Sequence, residues 1–285
     1  MDKKGLYIQY SGVNRTVHYT EALTQAAAPN SEYEAHVHHD FFEIYWFLDG
    51  KLSFAFEGDR IAVAPGDMLI LCSNLLHRPI IQEPCRYHRK RILFHKEIFV
   101  RLGEGGYTLQ QLLLGKQALK FHAGDICRIG LDRLFGEIGQ ALEEQTDYGD
   151  FAANVLLMHF LIAADKACQW CASGQSTLQP GKVHEIIRYI DNNLTGDLSY
   201  RAIGQQFHIS EKSLYKLFRQ ETGFSLGRYI RERRIIKAKS LLNAGSGAFD
   251  AAADTGFQDY SVFYRSFTKA LGISPAQYAK NKGSD

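Results

Sequence analysis

The segment SLYKLFRQETGFSLGRY, Ser213 to Tyr229, returns 49 residues later as VFYRSFTKALGISPAQY, Val262 to Tyr278. Tyr215 falls on Tyr264, Lys216 on Arg265, Phe218 on Phe267, Gly223 on Gly272, Ser225 on Ser274 and Tyr229 on Tyr278. A chain that repeats one helical unit at a fixed offset folds that unit twice. The first copy, RAIGQQFHISEKSLYKLFRQETG, reads as helix, tight turn, helix. Ile203 and Phe207 share a face, Ser210 stands as an N-cap, and Leu214, Leu217 and Phe218 form the inner stripe of the second helix. Lys212, Tyr215, Lys216 and Arg219 then turn outward. In the second copy Asp259 takes the capping place, Phe263 and Phe267 face in, and Tyr260, Ser261, Tyr264 and Arg265 face out. Aromatic and basic side chains near a helix N-terminus suit base edges and phosphates in a major groove. Any amphipathic helix carries charge on its wet side, but two copies with matching outward residues favour DNA.

Between the copies, SLGRYIRERRIIKAKSLL (Ser225 to Leu242) reads as one long helix. It carries six basic residues, Arg228, Arg231, Arg233, Arg234, Lys237 and Lys239, against the single acid Glu232. Such a helix can hold two recognition helices about one DNA turn apart, roughly 34 Å, with some of its charges on phosphate. The charge balance agrees: Lys182 onward has 16 Lys+Arg against 10 Asp+Glu, whereas residues 1–181 have 17 against 21. A basic tail behind a mildly acidic front points to nucleic acid at one end only.

The front is β-patterned to about residue 95. LYIQY, TVHYT, EIYWFL, KLSFAFEG, RIAVA, DMLILC and RYHRKRILF are short β-branched and aromatic runs separated by turn signals such as LDGK, EGDR and APGD. Many short strands at close spacing mean a sandwich or barrel. Residues 131–171 then read as two helices, the second of which, FAANVLLMHFLIAADKACQW, is apolar around most of its girth. That predicts burial on two sides, either in the core or at a dimer seam. SGQSTLQPG, Ser173 to Gly181, is the linker. The domains expected are therefore 1–172, with a barrel to about 125 and helices over 126–172, and 182–285.

The N-terminus has no apolar segment of secretory type, and the longest apolar run, Val155 to Ala164, is far short of a membrane span, so a cytoplasmic protein without membrane contact is expected. Five cysteines, at 72, 85, 127, 168 and 171, follow no disulfide framework; the single CxxC of Cys168 and Cys171 has no second pair, and idle thiols are expected rather than a zinc or redox site.

Within HVHHDFFEIYWFLDG, His36 and His38 alternate on an extended strand and point to one face, with Glu43 close by. Ligands of these types can hold Fe(II), Mn or Zn with open positions. The spacing leaves both a catalytic centre and a sensing site open.

The succession of helix-turn-helix, long basic helix and second helix-turn-helix, ending in GFQDYSVFYRSFTKALGISPAQY, closely resembles the arabinose-operon-regulator (AraC/XylS) family of transcription factors over residues 183–279. By that resemblance, base contacts fall on Lys212, Tyr215 and Lys216 and on Tyr260, Ser261, Tyr264 and Arg265. Departures stand out: Phe249 followed by Ala251 to Ala253 replaces the family's apolar branched residue before the second turn, and Tyr215 and Tyr264 are bulky for base-edge positions. The front stretch resembles the first cupin motif, satisfied by His36, His38, Glu43 and Gly50, and GDMLILCSNLLHRP resembles the second, with His77 as a fourth ligand but Cys72 and Asn74 where Pro and Gly are usual.

The fold class implied is α+β: an N-terminal cupin-like barrel with following helices, then an all-α domain of two helix-turn-helix units joined by a long helix. The function implied is a sequence-specific regulator, activator or repressor. It would act as a homodimer and respond to a small molecule such as a sugar, with RNA polymerase as a further partner. No cofactor is required, although a divalent metal fits the histidines. The rival is a cupin metalloenzyme of dioxygenase or isomerase type with a helical appendage.

Overall fold

The computed structural model describes residues 6–13, 16–27, 36–56, 59–81, 83–100, 105–106, 110, 118–171 and 182–281. The chain divides into two compact units, the second starting at Gln179. The linker expected at 173–181 lies outside the described residues, as do the side chains of Cys168 and Cys171.

The first unit is strand-rich. Its strands are β1 (Leu6–Ser11), β2 (Val17–Ala27), β3 (His36–Val37), β4 (Phe41–Asp49), β5 (Leu52–Phe56), β6 (Asp59–Val63), β7 (Met68–Leu71), β8 (Leu76–Ile81), β9 (Cys85–His95) and β10 (Ala118–Phe121). They form a six-stranded sheet in the order β1-β2-β9-β4-β7-β10 and a four-stranded sheet in the order β3-β8-β5-β6. Among these β3, β8 and β10 go beyond the sequence reading. β3 is too short to show a pattern, and β8 contains Pro79, a residue that argues against a strand.

Short α1 (Glu97–Val100) follows β9, and α2 (Ala123–Ile129), α3 (Leu131–Glu143) and α4 (Asp147–Cys171) follow β10. Helix begins at Ala123, slightly ahead of the expected 126. One face of the large sheet, with Tyr19, Phe42, Ile44, Ile70, Ile92 and Phe94, packs under Leu134, Phe135 and Ile138 of α3 and Leu157, Phe160 and Leu161 of α4. Close fit is visible at Gly139, where an added Cβ would lie 2.8 Å from the Tyr19 ring.

Of the two expectations for α4, burial of both its sides within the core of one chain is corrected. Ala153, Leu157, Phe160, Leu161 and Ala164 are buried, but Tyr148, Phe151, Val155 and Ile162 are 74%, 65%, 53% and 47% exposed. Among the described residues of one chain nothing covers that second stripe.

The second unit is helical: α5 (Lys182–Asn192), α6 (Tyr200–Gln206), α7 (Glu211–Thr222), α8 (Leu226–Asn243), α9 (Ala248–Ala253), α10 (Tyr260–Leu271) and α11 (Pro275–Asn281). Each functional helix starts on a side-chain cap that takes an otherwise orphan backbone N–H. Ser199 Oγ accepts from Ala202, Ser210 Oγ from Ser213, Ser225 Oγ from Arg228, and Asp259 from Ser261 and Val262. In the first turn Gly204 lets the chain close, since a Cβ there would meet Ile209 O at 2.7 Å. In the second, Phe263 and Phe267 pack with Ala251, Ala252, Ile235, Ala238, Leu242 and Tyr278. Two alanines thus fill the place of branched residues, while Phe249 remains 70% exposed.

Candidate functional sites: a histidine and carboxylate cluster and two capped recognition helices

β3 and β8 pair His36 with His77, and Glu43 lies on β4 of the opposing sheet. His38 follows β3 in a loop fixed by two backbone bonds, from Asn74 N to His38 O and from Lys96 N to Asp40 O. His36, His38, Glu43 and His77 each offer one ligand atom, all within 4.8 Å of one another. The four residues expected from spacing are brought together, and the neighbouring His39 is not among them.

Glu43 and His77 are each 2% exposed. His77 Nε2 and His38 Nε2 both stand 3.1 Å from Glu43 Oε2, and Arg91 Nη1 is 3.9 Å from Glu43 Oε1. Burial works against charge on Glu43, but His38, His77 and Arg91 outweigh it and hold the carboxyl well below its usual range.

The donor set fits a divalent cation. A carbonyl can only accept, so the contact of His77 Nδ1 with Leu75 O at 2.9 Å makes Nδ1 the donor. In the neutral ring Nε2 then turns a lone pair toward a carboxylate oxygen, an arrangement that a second ring proton or a cation between them resolves. His38 Nε2 is buried and makes no hydrogen bond despite its 3.1 Å approach to Glu43. Three imidazoles and one carboxylate are the ligand types of Zn, Mn or Fe(II) sites.

The aromatic residues of β4 divide by strand alternation. Phe42 and Trp46 join the helix-facing core, whereas Tyr45 and Phe47 share the face of Glu43. Tyr45 packs on Phe54 at 5.0 Å, and its hydroxyl pairs with that of Tyr87 at 2.7 Å.

In the second unit, Lys212, Tyr215, Lys216 and Arg219 are exposed along α7, and Ser261, Tyr264 and Arg265 along α10. Tyr215 and Arg219 are tied together, Arg219 Nη1 donating to Tyr215 Oη at 2.9 Å. Tyr260 differs from its expected outward place. It is half-buried, stacked on Phe249 at 4.0 Å with an interplanar angle of 4°. Phe249 therefore serves as a lateral support of the recognition helix instead of core filling.

The long helix α8 is less available to phosphate than its composition predicts. Arg233 forks onto Asp191 at 2.7 and 2.9 Å, Arg234 Nε donates to Leu194 O at 2.9 Å, Arg228 lies 4.7 Å over the Phe224 ring, and Lys239 is 4% exposed. Arg231 and Lys237 remain exposed. Most of the basic run fastens α8 to its neighbours, a use that composition could not reveal.

Two family models match this chain, an AraC-like ligand binding domain over residues 18–161 and a helix-turn-helix domain over residues 203–281. The protein belongs to the AraC family of transcriptional regulators. Among its relatives, the transcriptional activator AarP of Providencia stuartii is 37% identical over 101 residues, 35% of this chain and 75% of AarP. The activator RhaS of Escherichia coli (strain SE11) is 22% identical over 251 residues, 87% of both chains. Among solved structures, ToxT of Vibrio cholerae O395 aligns over 95% of this chain and 99% of its own at 14% identity and a TM-score of 0.40. This AraC-family chain is thus a DNA-binding transcriptional regulator with a cupin-like ligand-binding domain ahead of its helix-turn-helix region. Among its described residues no helix is long and apolar enough to cross a membrane.

Proposed function

We propose that this regulator acts in the cytoplasm as a homodimer whose barrel takes a small-molecule effector beside His36, His38, Glu43 and His77. The observation that carries the reading is the coexistence, in one chain, of a buried polar cluster in the barrel and two capped helices presenting basic and aromatic side chains. Lys212, Tyr215, Lys216 and Arg219 serve the first half-site, and Ser261, Tyr264 and Arg265, with Tyr260 at their edge, the second. Effector binding shifts the population of dimer arrangements, which requires unequal affinity for them. RNA polymerase is the partner of the DNA-bound form.

The exposed stripe Tyr148, Phe151, Val155 and Ile162 supports the dimer, since apolar side chains at steps of three, four and seven along one helix suit a second helix. Phe151→Glu with Val155→Glu is expected to yield a monomer by light scattering; an unchanged mass would move the seam elsewhere.

A divalent cation, where bound, would be held by the same four residues and would offer the effector an electrophilic coordination position. The cluster is also what favours the rival enzyme reading. Metal analysis of the purified protein, with His36→Ala and His77→Ala combined, separates these readings. Loss of effector response with DNA binding retained supports the sensor; metal-dependent turnover of any substrate would support the enzyme.

A further inference from the structure

The two recognition helices are copies of one unit, so their outward positions compare one by one at the offset of 49. Glu211 of α7 corresponds to Tyr260 of α10, Lys212 to Ser261, Lys216 to Arg265 and Arg219 to Thr268. Ahead of them Tyr200, the first residue of α6, corresponds to Phe249 near the start of α9. The exposed cations Lys212, Lys216 and Arg219 of α7 thus have one counterpart at the matching places of α10, Arg265.

The shared tyrosine follows the change. In α7, Tyr215 accepts a hydrogen bond from Arg219 Nη1 at 2.9 Å, and the guanidinium carbon stands 6.0 Å from its ring centroid, so ring and cation form one polar unit. In α10 the place of that guanidinium is taken by Thr268, whose hydroxyl oxygen is buried. Tyr264 borders Tyr260 at 6.5 Å instead, and Tyr260 lies flat on Phe249. Tyr200 is half-buried and accepts a hydrogen bond from Leu226 N at 3.1 Å, which ties it to α8. Phe249 has no hydroxyl to be tied by and stays 70% exposed, with Tyr260 against one ring face. Among the described residues, large hydrophobic side chains stand exposed at Tyr215 on α7 but at Phe249, Val262 and Tyr264 on α9 and α10. An exposed aromatic row calls for an apolar partner. In a major groove that partner is the thymine methyl, whereas lysine and arginine seek O6 and N7 of guanine.

We propose that the two half-sites are read by different chemistry: α7 takes a guanine-bearing half-site through Lys212, Lys216 and Arg219, and α10 a thymine-bearing one whose methyl groups lie against Phe249, Tyr260 and Tyr264. This rests on α7 and α10 being the DNA-reading helices and names the bases each one takes. Phe249 thereby becomes a DNA contact supplied by α9, outside the recognition helix itself. A protein partner is the competing occupant of the row; its continuity with exposed Ser261 and Arg265 on α10 favours DNA.

The test begins by enriching duplexes from a random pool with the full-length protein. In the enriched site each thymine is replaced in turn by deoxyuridine, which lacks only the methyl, and each guanine by 7-deazaguanine, which lacks the N7 acceptor. Deoxyuridine is expected to weaken binding about fourfold per contacted methyl in one half-site, the fold-change for one buried carbon. 7-Deazaguanine is expected to weaken it about fivefold or more in the other. Phe249→Ala should diminish the deoxyuridine effect while the salt dependence stays as in wild type, and Phe249→Tyr, which keeps the ring, should restore it. Lys212→Ala should diminish the 7-deazaguanine effect alone. Methyl and N7 effects spread evenly over both half-sites overturn the division of chemistry. A deoxyuridine effect that Phe249→Ala leaves intact overturns the aromatic contact and leaves the exposed ring to a protein partner. Failure to enrich any sequence is a different result, since it refutes sequence-specific reading by α7 and α10 and takes the proposal with it.

Discussion

Gly256 closes the turn ahead of the second recognition helix at φ +85, and a Cβ there would stand 2.4 Å from Leu194 O and 2.8 Å from Thr195 Cα. Gly272 ends the same helix at φ +74 with nothing within 4 Å of its virtual Cβ. Both glycines have φ in the left-handed range and their surroundings differ, so Gly272→Ala is a built-in control for Gly256→Ala. A non-glycine residue in the left-handed region costs about 1 to 2 kcal/mol. Gly272→Ala should lose that amount and little more. Gly256→Ala must also displace the Leu194 carbonyl, which accepts the Arg234 Nε bond at 2.9 Å. Losing a hydrogen bond to a charged group adds about 1.5 to 3 kcal/mol, for a total of about 2.5 to 5 kcal/mol. Against an ordinary domain stability of about 5 to 15 kcal/mol, that leaves the helical unit marginal. Urea unfolding of residues 179–285 followed by far-UV circular dichroism measures both, with equal slopes confirming that the same unit unfolds. Equal costs for the two variants would refute the close-approach argument and with it the idea that this contact fixes where α10 sits.

Three further outcomes are expected. Lys216→Ala and Arg265→Ala should each weaken specific DNA binding by about 1 to 3 kcal/mol and relax the choice between sites; unchanged discrimination in competition binding would remove both residues from the base-reading set. Phe249→Ala should reduce site discrimination through Tyr260 without touching the core, because its ring is stacked on Tyr260 and otherwise exposed; equal discrimination by wild type and variant would make the stack incidental. Glu21 should contribute stability that depends on pH. Burial opposes its charge, but His88 at 2.7 Å and Lys90 at 3.3 Å outweigh burial and lower its pKa. The stability advantage of wild type over Glu21→Gln is therefore present above the ordinary carboxylate range and shrinks as pH falls below about 4; an advantage that grew on acidification would contradict this sign.

Alternation and repetition made much of the molecule legible from its residues. Seven strands follow from β-branched runs, and the helix starts at Ser210 and Asp259 follow from local capping chemistry. The metal-type cluster was legible because His36, His38 and Glu43 are close in sequence, and His77 because it stands in a motif of its own. What stayed hidden depends on partners distant in sequence. In RYHRKRILF, charges stand on both faces of the strand, so only the pairing of Arg89 and Arg91 with Phe47 and Tyr45 reveals that these two look inward while Lys90 looks toward Trp46. The basic run of α8 likewise looked free for phosphate until Asp191, Leu194 and Phe224 were placed beside it. Strand β8 was obscured by Pro79, which sits beyond the two-residue pairing with β3.

The most direct measurement is fluorescence anisotropy of the fragment 179–285 on duplexes tiled across the DNA upstream of its own gene and its neighbours, with a scrambled duplex as control, at about 50 and 200 mM salt. The account predicts one preferred tile, bound well above the scrambled control, with affinity falling steeply as salt rises. Equal binding to every tile and to the scrambled control would contradict sequence-specific recognition by α7 and α10.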